Sequence, residues 1–216
     1  MVIRTFFDRN NTMVYNQNIN TGKNPVAELF YGGDSTGDKS YTRFIFQFDL
    51  DRVIEFRDKG MYPDLSKLKH TLNMTNTGTF DSSLLGGKTA DGKDRSTSFD
   101  LHVFEVNQPW DEGVGYDFEG TRYFSSIDAN DAAVISTDPS NWAESNTGTQ
   151  WASGGGVFSE WSGITIINSQ HFEDGNENLE IDITDAVNNI LTGDTNNGFG
   201  IAFTEGLEES VQNNTQ

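Results

Sequence analysis

Apolar and polar side chains alternate with a period of two along residues 43–50. Phe44, Phe46 and Phe48 fall on one face, and Arg43, Gln47 and Asp49 on the other. This alternation predicts a β-strand whose Phe face lines a core. The run from Phe99 to Val106 puts Phe99, Leu101, Val103 and Glu105 on one face, and Asp100, His102, Phe104 and Val106 on the other. It is apolar on both sides toward its C-terminal end, which predicts a strand inside a sheet. Similar runs are Thr12 to Tyr15, Ala27 to Tyr31, Lys69 to Asn73, Gly163 to Ile167, Leu179 to Ile183 and Gly198 to Phe203. With Thr42 to Asp49 and Phe99 to Val106 they make eight short segments bounded by Gly, Asn and Asp clusters, a pattern that suits a β-sandwich. The best helix is residues 184–192: Thr184 is its N-cap, Asp185 lies in the first turn, Val187, Ile190 and Leu191 share a face, and Gly193 follows the end. A weaker helical turn is predicted near Leu50 to Phe56.

Composition agrees with many short strands. The chain has 216 residues with 22 Gly and only 4 Pro, and its 16 Phe, 6 Tyr and 4 Trp concentrate apolar area although only 34% of residues are hydrophobic. One domain with one core is sufficient at this length. A formal charge of -19 repels phosphate backbones and anionic lipid, so nucleic acid and membrane surfaces are poor partners. A basic protein face, a divalent cation or a neutral glycan fits it. With no cysteine, disulfides and thiolate chemistry are excluded. Met1-Val2-Ile3-Arg4 opens no signal peptide, and no apolar run reaches membrane-spanning length. Taken as a native start, it predicts synthesis in the cytosol without export.

Two long excursions from the sandwich, Phe80 to Thr97 and Ser136 to Gly156, are the first places to look for contacts. Few residues suggest chemistry. His70, His102 and His171 are widely separated and lack metal-site spacing, and no nucleophile-elbow, P-loop or zincin motif occurs. Acidic groups near aromatics, Asp111 and Glu112 beside Trp110 with Asp117 and Glu119, could be paired as in a glycosidase, but spacing along a chain does not give the carboxylate distance. Asp34 and Asp38 in Asp34-Ser35-Thr36-Gly37-Asp38 supply hard oxygen ligands for calcium, or form an exposed turn. Trp142, Trp151 and Trp161 either present indole faces to a sugar or protein partner, or plug the core beneath a loop.

Ordered blocks of the chain resemble one family. Asn18, Thr21-Gly22-Lys23-Asn24-Pro25 and Leu29 to Gly33 precede Arg43-Phe44-Ile45-Phe46-Gln47-Phe48-Asp49-Leu50. Later come Val103 to Val106 with Trp110-Asp111-Glu112-Gly113, and Ile181 to Val187 with Gly193 and Asn197-Gly198-Phe199-Gly200-Ile201. Together they resemble the DNRLRE-type jelly-roll family of carbohydrate-binding-module-like sandwiches, although Gly115 and Tyr116 stand where the family has Thr and Trp. The resemblance implies an all-β jelly-roll β-sandwich over residues 1–206, with 207–216 a polar tail or the start of a further segment. It implies no catalytic residues and no cofactor, and gives Arg43 and Asp49 structural roles. Relatives include bacteriophage virion proteins. The expectation is therefore a non-catalytic virion structural protein, made in the host cytoplasm, that docks to other virion proteins and to copies of itself. The alternative is a glycan-binding module using Trp142 or Trp151.

Overall fold

The computed structural model describes residues 5–15, 20–22, 24, 26–33, 39–61, 64–77, 98–113, 140–152, 155 and 164–210. Its strands are β1 (Phe7–Val14), β2 (Tyr31–Gly33), β3 (Lys39–Phe48), β4 (Thr71–Met74), β5 (Phe99–Glu105), β6 (Glu144–Asn146), β7 (Thr149–Gln150), β8 (Ile166–Phe172), β9 (Leu179–Asp182) and β10 (Phe199–Phe203). Three short helices accompany them: α1 (Asp51–Asp58), α2 (Thr184–Thr192) and α3 (Glu205–Ser210).

The chain is all-β in antiparallel sheets. The main sheet runs β1-β3-β10-β5-β8, with β2 also paired to β3, while β4 pairs with β9 and β6 with β7. The sheets do not close into a barrel among the described residues. The β3 alternation organises the molecule. Phe44 and Phe46 face a cluster with Leu101, Val103, Phe199, Ile201 and Phe203, covered by Leu72 of β4, Leu179 and Ile181 of β9, Val53 of α1, and Val187 and Leu191 of α2. Phe7 joins from β1, its ring centroid 4.8 Å from Phe46 and 5.2 Å from Phe48. Aromatic pairs of this kind add about 0.5–1.5 kcal/mol beyond their buried area.

The opposite face is not solvent. Ile45 packs there with Met13, Phe104, Val106, Trp110, Trp151 and Ala202, so the sheet carries an apolar cluster on each side rather than the single core expected. The second cluster depends on a missing side chain. A Cβ on Gly200 would sit 2.1 Å from the Phe104 ring, so β10 must be bare at that position for Phe104 to lie across it.

Strands run where polar residues were not expected to form them. β1 begins at Phe7 rather than Thr12, and β8 extends through Asn168, Ser169, Gln170 and His171. In β8 two amides do the work of a neighbouring strand. Asn168 Nδ2 donates to the Asp182 carbonyl at 3.1 Å, and Gln170 both donates to the Asn178 carbonyl and accepts from the Glu180 N–H at 2.8 Å. These bonds stitch the main sheet to the β4–β9 layer.

The helix over 184–192 forms as expected, but Thr184 is its first residue rather than its N-cap: Ile183 holds the cap position without a side-chain cap bond, and the Asp182 carboxylate accepts the Thr184 N–H at 2.9 Å. Thr184 turns its own hydroxyl to the His70 N–H at 2.9 Å. Ahead of α1, whose cap position is Leu50, Asp49 likewise accepts the Asp51 N–H at 2.8 Å. The boundary expected at 206 falls inside α3: Leu207 packs on the first cluster and Glu208 is buried. No helix among the described residues is long and apolar enough to cross a membrane.

Gly200→Ala forces Phe104 out of its rotamer in a packed cluster and is expected to cost about 1–3 kcal/mol, measured by urea denaturation. Phe104→Leu in the same chain should recover part of that loss.

Candidate functional site

The residues of the first and third family-like blocks meet along the outer edge of β1. An edge strand leaves every second backbone N–H and C=O without a neighbour. On β1 these groups are met by side chains. The Asn10 N–H donates to Glu112 Oε1 at 3.2 Å. The Thr12 N–H donates to Thr21 Oγ1 at 3.1 Å, and that hydroxyl donates back to the Thr12 carbonyl at 3.2 Å. Thr21 thus makes the reciprocal pair of bonds that a paired strand residue would make.

The same residues hold three loops to one another. Asn11 Oδ1 accepts the Thr21 N–H at 2.8 Å, while Asn11 Nδ2 donates to the carbonyl and hydroxyl oxygens of Ser140 at 2.8 and 2.9 Å. Asn20 Nδ2 is shared between the carbonyls of Glu112 and Ser140, each at 2.8 Å, and the Ser140 hydroxyl donates to the Asp111 carbonyl at 2.6 Å. Asn11, Asn20, Thr21 and Ser140 are all buried. The contact is close enough that a Cβ on Gly22 would fall 1.9 Å from the Glu112 carbonyl oxygen. Buried amides and hydroxyls are tolerated because they are bonded to one another, and a network so connected fixes one arrangement of its loops. Glu112 is accordingly an acceptor for backbone; its proposed acidic companions Asp117 and Glu119 lie outside the described residues.

A second junction lies beside it. Arg43, on the Ile45 face of β3, forms a bidentate pair with Glu208 of α3, Nε to Oε1 at 3.1 Å and one terminal nitrogen to Oε2 at 2.7 Å. The side chains are only 6% and 1% exposed, so this pair is isolated from solvent. The other terminal nitrogen donates to the Gly155 carbonyl at 3.4 Å, and the guanidinium carbon sits 5.1 Å from the Trp142 ring centroid, within cation–π range. Trp142 also meets Tyr15 and Tyr41 edge-on, at 5.0 and 5.3 Å between centroids, while those two tyrosines stack at 4.6 Å.

The tryptophans therefore divide. Trp151 is buried in the second cluster, its indole N–H donating to the Asn141 carbonyl at 2.8 Å; it is a plug. Trp142 is half-buried and enclosed by Arg43, Tyr15 and Tyr41. Trp161 lies outside the described residues, as do the calcium candidates Asp34 and Asp38 and the excursion Phe80 to Thr97. Trp110, from the third family-like block, is also buried and donates its indole N–H to the Asn197 carbonyl at 2.8 Å. The excursion Ser136 to Gly156 contains the β6–β7 hairpin, which pairs back on itself.

The histidines occupy two places. His70 precedes β4, and burial holds its pKa below the usual value, outweighing the Asn188 amide and the Asp182 carboxylate, which raise it. His102 and His171 lie on neighbouring strands of the main sheet, and burial also lowers His102, against the opposing effect of Asp100. Among the described residues no three His, Asp or Glu side chains are grouped to hold a metal ion. No family model, no curated protein and no solved structure matches the chain.

Removing one member of the Arg43–Glu208 pair strands a buried charge. Glu208→Leu is expected to cost about 3–5 kcal/mol, whereas Arg43→Met combined with Glu208→Leu should be much closer to the parent in chemical denaturation. A second prediction concerns pH. His70 and His102 have folded pKa values below 6.5, so the unfolded chain takes up protons first and stability falls as pH drops from 6.5 toward the folded values. His70→Gln should flatten that slope in melting temperature measured across the same window.

Proposed function

We propose that the chain is a jelly-roll β-sandwich serving as a bacteriophage virion structural protein, one that docks to other virion proteins and to copies of itself and turns over no substrate. The observation that carries this reading is the pinning of Thr21, Glu112 and Ser140, from three loops, to β1 and to one another by buried and half-buried hydrogen bonds. A docking subunit gains when its contact loops are ordered beforehand, because less conformational entropy is lost on association. The family-like residues Thr21, Arg43, Trp110, Glu112 and Asp49 are all engaged in holding the fold. That supports a structural use for them. In this reading β4 and β9, stitched to β8, supply the second layer of the sandwich.

The charge of -19 favours a basic face on a docking partner among the other virion proteins. The glycan-binding alternative loses support from the same geometry, since Trp151 is buried and the Trp142 ring is occupied by Arg43 and two tyrosines. A sugar platform needs an open ring face.

The test is the assembly state of the purified full chain, followed by sedimentation velocity and electron microscopy in the absence of sugar, beside a glycan array. A ring, trimer or particle-bound array is the expected outcome. A monodisperse monomer with millimolar or tighter glycan affinity overturns the reading.

A further inference from the structure

Antiparallel pairing of β5 with β8 sets Asp100 directly opposite His171, with Ser98 just ahead of β5. His171 Nδ1 lies 3.0 Å from Asp100 Oδ1, and His171 Nε2 lies 3.3 Å from Ser98 Oγ. A carboxylate at Nδ1 fixes the tautomer: the proton stays on Nδ1 and Nε2 presents its lone pair. The Ser98 hydroxyl then donates to Nε2. A hydroxyl, an imidazole and a carboxylate connected in this order meet the geometric test for an activated nucleophile, which depends on roles and distances rather than on position in the chain.

We propose that Ser98 is an activated nucleophile and the site at which this protein is acylated by activated carboxylic esters. The inference goes beyond the docking role and does not rest on it. Ser98 Oγ attacks the ester carbonyl carbon while its proton passes to His171 Nε2. The tetrahedral intermediate then expels the ester's alkoxide or aryloxide, which takes that proton and leaves as the alcohol. The products are a Ser98 acyl ester and a neutral His171. Asp100 orients the ring throughout and stabilises the imidazolium that forms in between. The His171 and Asp100 side chains are 52% and 49% exposed, so the relay is reached by water and the transient oxyanion is solvated. The reaction is stoichiometric modification rather than turnover.

The experiment treats the full chain with p-nitrophenyl acetate and, separately, with a fluorophosphonate probe, and follows adducts by intact mass and peptide mapping. The comparison variants are Ser98→Ala, His171→Ala and Asp100→Asn, each checked by thermal melting; these exposed positions leave both apolar clusters untouched. One adduct is expected, at Ser98, absent from Ser98→Ala, about 10²-fold slower to form in His171→Ala and intermediate in Asp100→Asn. Absence of an adduct at Ser98 overturns the proposal. So does preferential labelling of Ser169, whose hydroxyl lies 2.7 Å from His102 Nδ1, or equal labelling of Ser98 with and without His171.

Discussion

The outer edge of β1 is the place on which the arrangement of the loops depends. Its backbone groups at Asn10 and Thr12 point away from β3, toward a position where no strand of the main sheet lies among the described residues. Left open, such an edge is a template for uncontrolled pairing with another chain. Here Thr21 and Glu112 supply the missing partners. Because these two residues come from separate loops, which the Asn20–Glu112 bond also joins, sealing the edge brings those loops together. Ser140 adds the third loop through Asn11 and Asn20. Edge protection and loop placement are one event.

The buried Arg43–Glu208 pair extends this logic to the end of the described chain. Buried ion pairs add little net stability over apolar residues of the same shape, but breaking one is costly, so they specify an arrangement more than they strengthen it. Arg43 meets α3, the loop at Gly155 and the Trp142 ring. Polar residues thus specify where loops and the last helix lie, while the aromatic clusters on the two faces of the sheet provide most of the burial. The same division bears on function. In the proposed docking role, loops fixed in advance lower the cost of association, and Asn11, Asn20, Thr21 and Ser140, which fix them, are buried.

The main strands were legible in the sequence because their side chains alternate. β3, β5, β9 and β10, and the amphipathic helix at 184–192, form where period and turn residues place them. What could not be read was polar structure. Asp8 to Asn11 carry no apolar alternation; they form strand by antiparallel pairing with Ile45, Phe46 and Gln47 of β3, with Glu112 meeting the Asn10 N–H on the outer edge. β8 is similar, with Asn168 and Gln170 standing in for a ladder. Glu208 looked like part of a polar tail, since its partner Arg43 is 165 residues away. Trp142 and Trp151 were ambiguous for the same reason: whether an indole faces water or Arg43 is decided by tertiary packing. Cross-strand pairing likewise brings His171 to Asp100, which no spacing along the chain announces.

Amide hydrogen exchange at Asn10 and Thr12 tests the central claim most directly. The Tyr15 N–H bonds the Tyr41 carbonyl, so alternation turns the amides of Asn11 and Met13 toward β3 and those of Asn10 and Thr12 toward the sealed edge. If side chains close that edge as a strand would, Asn10 and Thr12 exchange as slowly as Asn11 and Met13 in the native protein. Exchange at Asn10 and Thr12 at the rate of an open edge, with Asn11 and Met13 still protected, would contradict the account.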